Sequence, residues 1–575
     1  MSTSLLCETV TGRSMAELLA ARDAATAADM VELRLDGVAD LDVAGALAGS
    51  RLPVVVTCRP HWEGGRFTGS EEDRKAILRR ALELGAEFVD IEWKTLHGGH
   101  PVSFNDLLAA HASRVVLSSH DFEGVPADLT GRVRDMRASG AAVIKVAVTA
   151  ERLVDTLPLR AIGREGNAVV IGMGAAGVPS RLLATRFGSR WTYSGNGVAP
   201  GQIPAARMID EFRFRTIGPA TRLFGVVSAN AMHSLSPVLH NAAFAAAGLD
   251  AVYVPLQAAD FGDFLAFAEA LGIEGVSVTI PFKRDALAAA STVDDLTRQV
   301  GAANTLRRIG PPEGGPYDSA EGHSGAVADA TPRAPRRDVG PPEGGPHMGA
   351  DVPQSDLNED LDVEAAFRRP SFDDSAPDET LPVGQWAATN TDVDGFLVPL
   401  ESAVGSVAGL RVAVLGAGGS ARAVIVALLA RGAHVAVHAR RPEQAHEVTL
   451  SLGAAIGDWP VPGGSWDVLV NCTPLGGATL RDESPMADQP LTGRLVYDLT
   501  YGPGESALVR DARQAGCAVI DGLPMLIAQA ERQFAWWTGQ APAPGVMSEA
   551  ARIRMQGNRP RRRTSTRRAR GVTTS

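Results

Sequence analysis

Eight short runs of β-branched and other apolar residues, separated by segments rich in Ala, Leu and charge, occupy residues 1–217. The runs begin at Leu5, Met30, Pro53, Phe88, Arg114, Ala141, Ala168 and Arg190. Strands that alternate with helices along a chain usually form a parallel sheet, because each helix carries the chain back across it. Eight such units in this length predict an α/β fold with an N-terminal (β/α)8 barrel, at the short end of the size range.

Alternation along the runs separates an apolar face from an ionisable one. In the second run, Val31 and Leu33 share one face, which leaves Glu32 and Arg34 on the other. The apolar face must contact the outer helices, so the ionisable face points to the barrel axis. The same pattern places further polar residues on that axis: Asp36, Thr57, Arg59, Asp90, Glu92, Ser118, His120 and Lys145. One such residue could be structural, but their convergence near the strand C-termini predicts a catalytic site.

Two of these residues suit covalent catalysis. Lys145 is the only charged residue in its run, and a lysine in a low-dielectric environment can lose its proton and attack a carbonyl carbon as a neutral amine. His120 is a candidate general base, and Glu92 is available to orient its ring.

Seven motifs in this region resemble type I 3-dehydroquinate dehydratase across residues 4–217. In chain order they are ELRLD, TCRPHWEGG, DIEW, SSHDF, IKVAV, GVPSR and APGQ. The resemblance implies that Lys145 forms an imine with the C3 ketone of 3-dehydroquinate. It also implies that His120, its tautomer held by Glu92, removes a C2 proton, after which the C1 hydroxyl leaves as water.

The resemblance also implies a set of substrate contacts in the barrel. They are Glu32, Arg34, Arg59, Arg181 and Gln202. Arg181 and Gln202 are expected to bind the substrate carboxylate. The family often has serine before APGQ where this chain has Val198, so one hydroxyl contact to the substrate is expected to be missing.

A second α/β region begins at Thr221, and its later part contains a glycine-rich turn. The sequence LRVAVLGAGGSARAVIVALLARGAHVAVHARR predicts strand, turn, helix and strand, which is a Rossmann unit. The turn consists of Gly416, Gly418, Gly419, Ser420 and Ala421. Its glycines permit close approach of the backbone to a pyrophosphate, which the helix N-terminus would bind.

The next strand of this unit ends in Arg440 and Arg441, not in the Asp or Glu that would bind a ribose 2′-hydroxyl. Two guanidinium groups suit a 2′-phosphate, so NADP is the predicted cofactor. The alternative is that both arginines are a solvated strand end.

Motifs at predicted strand ends resemble shikimate dehydrogenase across residues 222–540, apart from an insert. They are HSLSP, SVTIPFK, GAANT, NTDVDG, GAGGSARA, NCTPLG, YDLTYGP and DGLPMLIAQA. The resemblance implies Lys283 and Asp392 as a catalytic pair, with Lys283 donating a proton to the C3 oxygen as hydride arrives. The implied substrate contacts are Ser234, Ser236, Thr279, Asn304 and Gln529.

Charge is distributed unevenly along the chain. Residues 310–385 hold 16 acidic residues against 5 arginines, and the heptapeptide GPPEGGP occurs at 310–316 and 340–346. This composition predicts a disordered insert. Residues 551–575 hold nine arginines and no acid, and they are interpreted as a disordered basic tail. Nucleic-acid binding is not expected there, because aromatic residues are absent.

These features predict five segments. They are a dehydratase barrel at 1–217, a substrate domain at 221–309 completed by a helix at 523–540, the insert at 310–385, an NADP-binding Rossmann domain at 386–522 and the tail at 551–575.

Several classes of protein are not expected. No apolar run approaches the ~18 residues of a membrane span, and the four scattered cysteines predict neither a disulfide framework nor a metal site. The N-terminal residues lack a signal-peptide pattern, so a cytoplasmic location is expected.

The predicted function is bifunctional: dehydration of 3-dehydroquinate, then reduction of the product with NADPH. One alternative is reduction of 3-dehydroquinate to quinate with NAD. Another is a ligand-sensing protein built from inactive copies of these domains. The expected signature of that protein is loss of Lys145 or Lys283, and both are present.

Overall fold

The computed structural model of the chain describes residues 3–97, 100–195, 197, 200–310, 385–477, 479–502 and 504–557. Val198, most of the predicted insert (311–384) and the end of the predicted tail (558–575) lie outside the described residues. No helix of the described residues is both long enough and apolar enough to cross a lipid bilayer.

The first eight strands lie side by side, and each hydrogen-bonded pair runs parallel. They are β1 (Leu5–Thr11), β2 (Met30–Arg34), β3 (Val54–Thr57), β4 (Phe88–Glu92), β5 (Val115–Asp121), β6 (Val143–Thr149), β7 (Ala168–Met173) and β8 (Trp191–Ser194). Their order is β7-β6-β5-β4-β3-β2-β1-β8. The backbone N of Arg190 donates to the carbonyl of Ala168 at 2.9 Å, which brings the start of β8 to β7. The sheet is a nearly closed barrel, as predicted.

Helices surround this barrel and bury the apolar strand faces. They are α1 (Met15–Ala24), α2 (Val43–Leu47), α3 (Glu71–Glu83), α4 (Asn105–His111), α5 (Leu129–Ala138), α6 (Leu157–Arg164), α7 (Val178–Leu182) and α8 (Ala205–Asp210). Val89 and Ile91 of β4 share one core with Leu78 of α3. Ser70 caps α3 by accepting from the backbone N of Asp73, which satisfies one of the free N–H groups at the helix start.

A second sheet has the order β10-β9-β11-β13-β14-β12. Its strands are β9 (Arg222–Ser228), β10 (Ala251–Gln257), β11 (Ile273–Val278), β12 (Thr292–Val293), β13 (Thr305–Ile309) and β14 (Gln385–Thr389). Its helices are α9 (Ser236–Ala246), α10 (Phe261–Leu271), α11 (Lys283–Ala289) and α12 (Asp295–Val300). Only β13 runs antiparallel to its neighbours, β11 and β14.

The pairing of β13 with β14 bears on the predicted insert. Ile309 and Gln385 face each other in the register of the two antiparallel strands, and such partners lie roughly 4.5–5.5 Å apart between Cα atoms. Gln385 therefore belongs to the sheet, and the described residues on either side of the gap, Ile309 and Gln385, are partners on adjacent strands.

The third sheet is parallel and has the order β17-β16-β15-β18-β19-β20. Its strands are β15 (Arg411–Leu415), β16 (His434–His438), β17 (Ala455–Ile456), β18 (Val468–Asn471), β19 (Leu495–Asp498) and β20 (Ala518–Ile520). The remaining helices are α13 (Asp392–Val404), α14 (Gly419–Ala430), α15 (Pro442–Leu452), α16 (Ala507–Gln514), α17 (Gly522–Thr538) and α18 (Val546–Gly557). The strand order reverses between β15 and β18, which is where dinucleotides bind in Rossmann folds.

Helix α18 corrects the predicted extent of the basic tail. The sequence analysis places residues 551–557 in a disordered segment, but they form the second half of α18. Met547 and Ala551 lie one turn apart on one face of the helix, and both are fully buried in a core that includes Leu239 of α9. The arginine-rich composition concealed this apolar face.

The barrel and the second sheet region are in direct contact. Asp263 of α10 is buried, and its carboxylate accepts from the backbone N of Leu153 and of Val154, each at 3.0 Å. Arg186, after α7, donates to the carbonyls of Thr221 and Leu271 at 3.1 and 2.9 Å. The second half of the chain therefore packs against barrel residues.

Two candidate active sites

Lys145 lies at the centre of the barrel, between two carboxylates. Its Nζ is 3.1 Å from Oδ2 of Asp90 and 3.4 Å from Oε1 of Glu32, and it lies 4.3 Å from the ring centre of Tyr193. The residue is only 5% exposed. The low-dielectric environment predicted for this lysine is present, but it contains opposite charges that hold the nitrogen in place.

Arg59, which follows β3, forms ion pairs with both carboxylates of the neighbouring strand β4. Its guanidinium reaches Oδ2 of Asp90 at 2.9 Å and Oε1 of Glu92 at 2.8 Å. Burial opposes ionisation of Asp90, but Arg59 and Lys145 outweigh it and hold the pKa of Asp90 well below its usual range. Burial prevails at Glu92 and raises the pKa of that carboxyl.

His120 is held by Glu63, which corrects the predicted role of Glu92. Oε1 of Glu63 lies 3.3 Å from Nδ1 of His120 and accepts from its backbone N at 3.0 Å. Both oxygens of Glu92 accept from arginines instead, one from Arg59 at 2.8 Å and the other from Arg74 of α3 at 2.5 Å. Glu63 lies in the motif TCRPHWEGG, so its position was visible, but its contact depends on the path of the loop after β3.

The environment of His120 suits a base. Burial and, after it, the charge of Arg59 lower the pKa of His120 to about 4, so the imidazole is neutral near pH 7. Burial opposes ionisation of Glu63, but His120, Arg59 and Lys94 lower its pKa to about 2. A carboxylate at Nδ1 favours the tautomer with hydrogen on that atom, which leaves Nε2 free to accept a proton.

Arg181 is the predicted barrel contact whose charge is available to an anion. It is 2% exposed, and its Nη2 donates to the carbonyl of Pro200 at 3.1 Å. Burial lowers its pKa to about 10, and no carboxylate of the described residues forms an ion pair with it. Arg34, by contrast, makes two bonds to Asp36, at 2.8 and 2.9 Å.

Gln202 lies beside the same polar network. Its Nε2 donates to Oγ1 of Thr9 at 3.4 Å, and Thr9 donates to Glu32 at 2.9 Å. Gln202, one of the predicted pair for the substrate carboxylate, therefore lies next to the Lys145 site.

The second half contains a cavity of about 760 Å³ that holds the other predicted pair. Nζ of Lys283 lies 2.5 Å from Oδ2 of Asp392 and donates to Oγ of Ser420 at 3.0 Å. All seven predicted catalytic and substrate residues line the cavity: Ser234, Ser236, Thr279, Lys283, Asn304, Asp392 and Gln529.

Asn304 fixes the Asp392 carboxylate from the side opposite Lys283. Its Nδ2 donates to Oδ1 of Asp392 at 2.8 Å, and its Oδ1 accepts from the backbone N of Thr391 at 2.8 Å. The backbone N of Asp392 in turn donates to Asn390 at 3.0 Å. Each carboxylate oxygen of Asp392 thus has one fixed donor, which orients the Lys283 ammonium.

Sequence reasoning missed a buried polar layer behind this cavity. Oε1 of Gln533 accepts from Oγ of Ser277 at 2.7 Å, and its Nε2 donates to Thr305 at 2.9 Å. Ser277 also accepts from Tyr253 at 2.6 Å. Gln533 follows Gln529 by four residues on α17, so helical spacing could have indicated it.

The glycine turn has the shape that a dinucleotide requires. Gly416 has a φ of +102°, a conformation that favours glycine. A side chain at Gly418 would meet nothing within 4 Å, so space is open at the start of α14, and one at Gly419 would lie 3.0 Å from the Lys283 side chain. Ala421 is fully buried and packs the helix against its sheet. These residues fit a bound pyrophosphate.

Arg440 and Arg441 follow β16 beside this turn. The backbone N of Gly416 donates to the carbonyl of His438 at 2.8 Å, which joins the turn to the strand end. Both arginines are exposed, and among the described residues neither has an ion-pair partner. Their charges are therefore available to a phosphate.

Three family models match the chain. Type I 3-dehydroquinase matches residues 6–219, the shikimate dehydrogenase substrate binding domain matches residues 226–306, and the shikimate 5′-dehydrogenase C-terminal domain matches residues 522–552. The first covers the barrel, and the other two cover elements that line the cavity.

Two curated relatives and one solved structure are similar to this chain. A shikimate dehydrogenase (NADP(+)) from Moorella thermoacetica is 30% identical over 58% of this chain and 94% of its own length. The solved structure of the dehydroquinate dehydratase and shikimate dehydrogenase from S. pombe is 20% identical over 96% of this chain and 99% of that one, with a TM-score of 0.37. A chloroplastic bifunctional 3-dehydroquinate dehydratase/shikimate dehydrogenase from Arabidopsis thaliana is 30% identical over 94% of this chain and 83% of its own length. With two family models side by side and a relative that spans both halves, the chain belongs to the family of bifunctional 3-dehydroquinate dehydratase/shikimate dehydrogenase enzymes.

Proposed function

We propose that the barrel dehydrates 3-dehydroquinate through an imine on Lys145 and that the second half reduces the resulting 3-dehydroshikimate to shikimate with NADPH. The observation that carries the proposal is the placement of one buried lysine in each half, Lys145 against Asp90 and Lys283 against Asp392. Each lies where the chemistry of its half needs an amine or an ammonium.

In the barrel, the amine of Lys145 attacks the C3 carbonyl, and loss of water leaves an imine. Asp90 and Glu32 both contact the nitrogen and hold it in place, and the hydrogens that the nitrogen loses leave with the carbonyl oxygen as water. Arg181 would bind the substrate carboxylate, and its burial keeps water from competing for that contact.

His120 then takes the C2 proton on Nε2. The electron pair enters the ring as an enamine, and the C1 hydroxyl leaves with a proton as water. Hydrolysis of the product imine restores the Lys145 amine. Glu63 stabilises the imidazolium that forms in this step, because its carboxylate lies 3.3 Å from Nδ1.

In the second half, bound NADPH would supply the hydride that reduces the C3 carbonyl. The Gly416–Ala421 turn would hold its pyrophosphate, and Arg440 and Arg441 its 2′-phosphate. Lys283 donates a proton to the carbonyl oxygen, and Asp392 keeps the ammonium aimed at it. Ser234 and Ser236, at the start of α9, are placed to bind the substrate at the other side of the cavity.

We further propose the domain limits that accompany these roles. The dehydratase domain comprises residues 1–217, and the NADP-binding domain, predicted at 386–522, begins after β14, at Asn390. The substrate domain comprises residues 221–309 and is completed by α17, with β14 and α18 added to it. The family-model ranges support the first boundary.

Product analysis tests the proposal. With 3-dehydroquinate alone, 3-dehydroshikimate should accumulate, and addition of NADPH should convert it to shikimate with one NADPH oxidised per shikimate formed. Reduction of 3-dehydroquinate directly to quinate would instead support the alternative activity of the second half.

Replacement of both Arg440 and Arg441 with glutamine should remove most of the preference for NADPH over NADH in kcat/KM. Charge-assisted hydrogen bonds are worth about 1.5–3 kcal/mol, so the parent enzyme should prefer NADPH by at least about tenfold. The preference is measured by steady-state kinetics with each cofactor. Arg134 is an exposed arginine on the barrel, so Arg134→Gln is a matched control. A parent enzyme that uses both cofactors equally would contradict the assignment.

A further inference from the structure

One side of the cavity in the second half carries two arginines that lie outside all of the dehydrogenase motifs. Arg207 belongs to α8 of the barrel and Arg554 to α18, yet both line the cavity together with Ser234 and Ser236. The first lies in the dehydratase half of the chain, 15 residues before the dehydrogenase resemblance begins at residue 222. The second follows that resemblance.

Glu211 links the two arginines. Nε of Arg207 donates to its Oε2 at 2.9 Å, and Nε of Arg554 lies 2.7 Å from its Oε1. The side chain of Glu211 is 12% exposed, against 34% for Arg207 and 23% for Arg554. Both arginines are therefore nearer to solvent than the Glu211 carboxylate that they share, and both line the cavity.

The backbone of this segment is anchored to the second half. The carbonyl of Glu211 accepts from Nδ2 of Asn241 on α9 at 2.8 Å, and Asn241 is buried. The arginine of α8 is consequently held at the cavity by the packing of the barrel against the dehydrogenase, and it does not depend on a loop.

We propose that Arg207 and Arg554 form an electrostatic entrance that attracts the carboxylate of 3-dehydroshikimate into the dehydrogenase cavity, so that the dehydratase half contributes a substrate-specificity residue to the other activity. The inference rests on the proposed function. Guanidinium groups at a cavity mouth raise the local concentration of an anionic substrate and speed its encounter. The hydrogen bonds of the Lys283 ammonium go to Asp392 and Ser420, so the entrance is expected to act on capture and to leave the chemical step unchanged.

The test is steady-state reduction of 3-dehydroshikimate by the full-length chain at saturating NADPH. At low ionic strength, Arg207→Gln and Arg554→Gln should each raise KM about three- to tenfold, with kcat within about twofold of the parent. Because salt screens this attraction, the difference should shrink at about 0.5 M salt. Arg207→Lys should recover most of the affinity, and dehydration of 3-dehydroquinate should be unchanged.

Arg134→Gln is the matched control, since that arginine is exposed on α5 of the barrel and pairs only with Asp135 among the described residues. Unchanged KM in both glutamine variants would overturn the inference. So would a KM increase that neither salt nor lysine alters, since that pattern indicates a structural role. A parent chain that does not reduce 3-dehydroshikimate would remove the proposed function itself, whereas an active parent with unaffected variants would remove only the entrance.

Discussion

Lys145→Ala is expected to lower the rate of dehydration by about 10⁴-fold or more, because it removes the nucleophile on which the covalent route depends. Reduction of 3-dehydroshikimate by the same variant should stay within about twofold of the parent, since that chemistry uses Lys283 in the other half. Both rates are measured on one preparation, so each activity serves as the folding control for the other. Lys145→Met, which fills more of the space left beside Asp90 and Tyr193, should give the same result.

Borohydride provides a direct chemical test of the imine. Added with 3-dehydroquinate, it should reduce the imine and attach the ligand covalently to Lys145, which peptide mass spectrometry can locate. Lys283→Gln should label like the parent, and Lys145→Ala should not label. Normal dehydration by the alanine variant, or labelling at another lysine, would remove the Schiff-base mechanism.

Lys283→Gln is expected to lower kcat for NADPH-dependent reduction by about 10²- to 10⁴-fold, the usual contribution of a positioned acid or base. In the proposed mechanism the Lys283 ammonium donates the proton, and glutamine cannot supply it. Asp392→Asn should lower kcat in the same direction, because it removes the charge that holds the ammonium at 2.5 Å. Dehydration of 3-dehydroquinate by both variants should match the parent.

The adjacent Arg284 provides a matched control for this second site. It is exposed and pairs with Glu447 on the surface, so Arg284→Gln should leave kcat for reduction within about twofold. Parental reduction by Lys283→Gln would exclude this lysine as the acid. A fall in both activities of that variant would instead indicate a folding defect.

Much of the barrel site could be predicted from the sequence, because strand alternation is a local property. Every second residue of a strand shares a face whatever the rest of the fold does. Alternation alone therefore predicts that Glu32, Arg59, Asp90 and Lys145 face the axis, and in the structure all four form one buried network. The barrel itself is predicted by the order of the elements, because eight strands that alternate with helices form a closed parallel sheet.

The second site was predicted by motif resemblance and not by periodicity. Lys283 and Asp392 are separated in the chain by the whole predicted insert, and local pattern says nothing about their distance. The antiparallel pairing of Thr305–Ile309 with Gln385–Thr389 decides that distance, because it places the strand after Asn304 beside the strand that precedes Asp392.

Sequence by itself determined the alternating faces, the glycine turn and the identity of the lysines, all of which depend on residues close in the chain. Only the tertiary structure decided which acid holds His120, where α18 packs and which half supplies Arg207 to the cavity. Each of those contacts joins residues far apart in sequence, so its energy depends on the path of the whole chain and not on any local pattern.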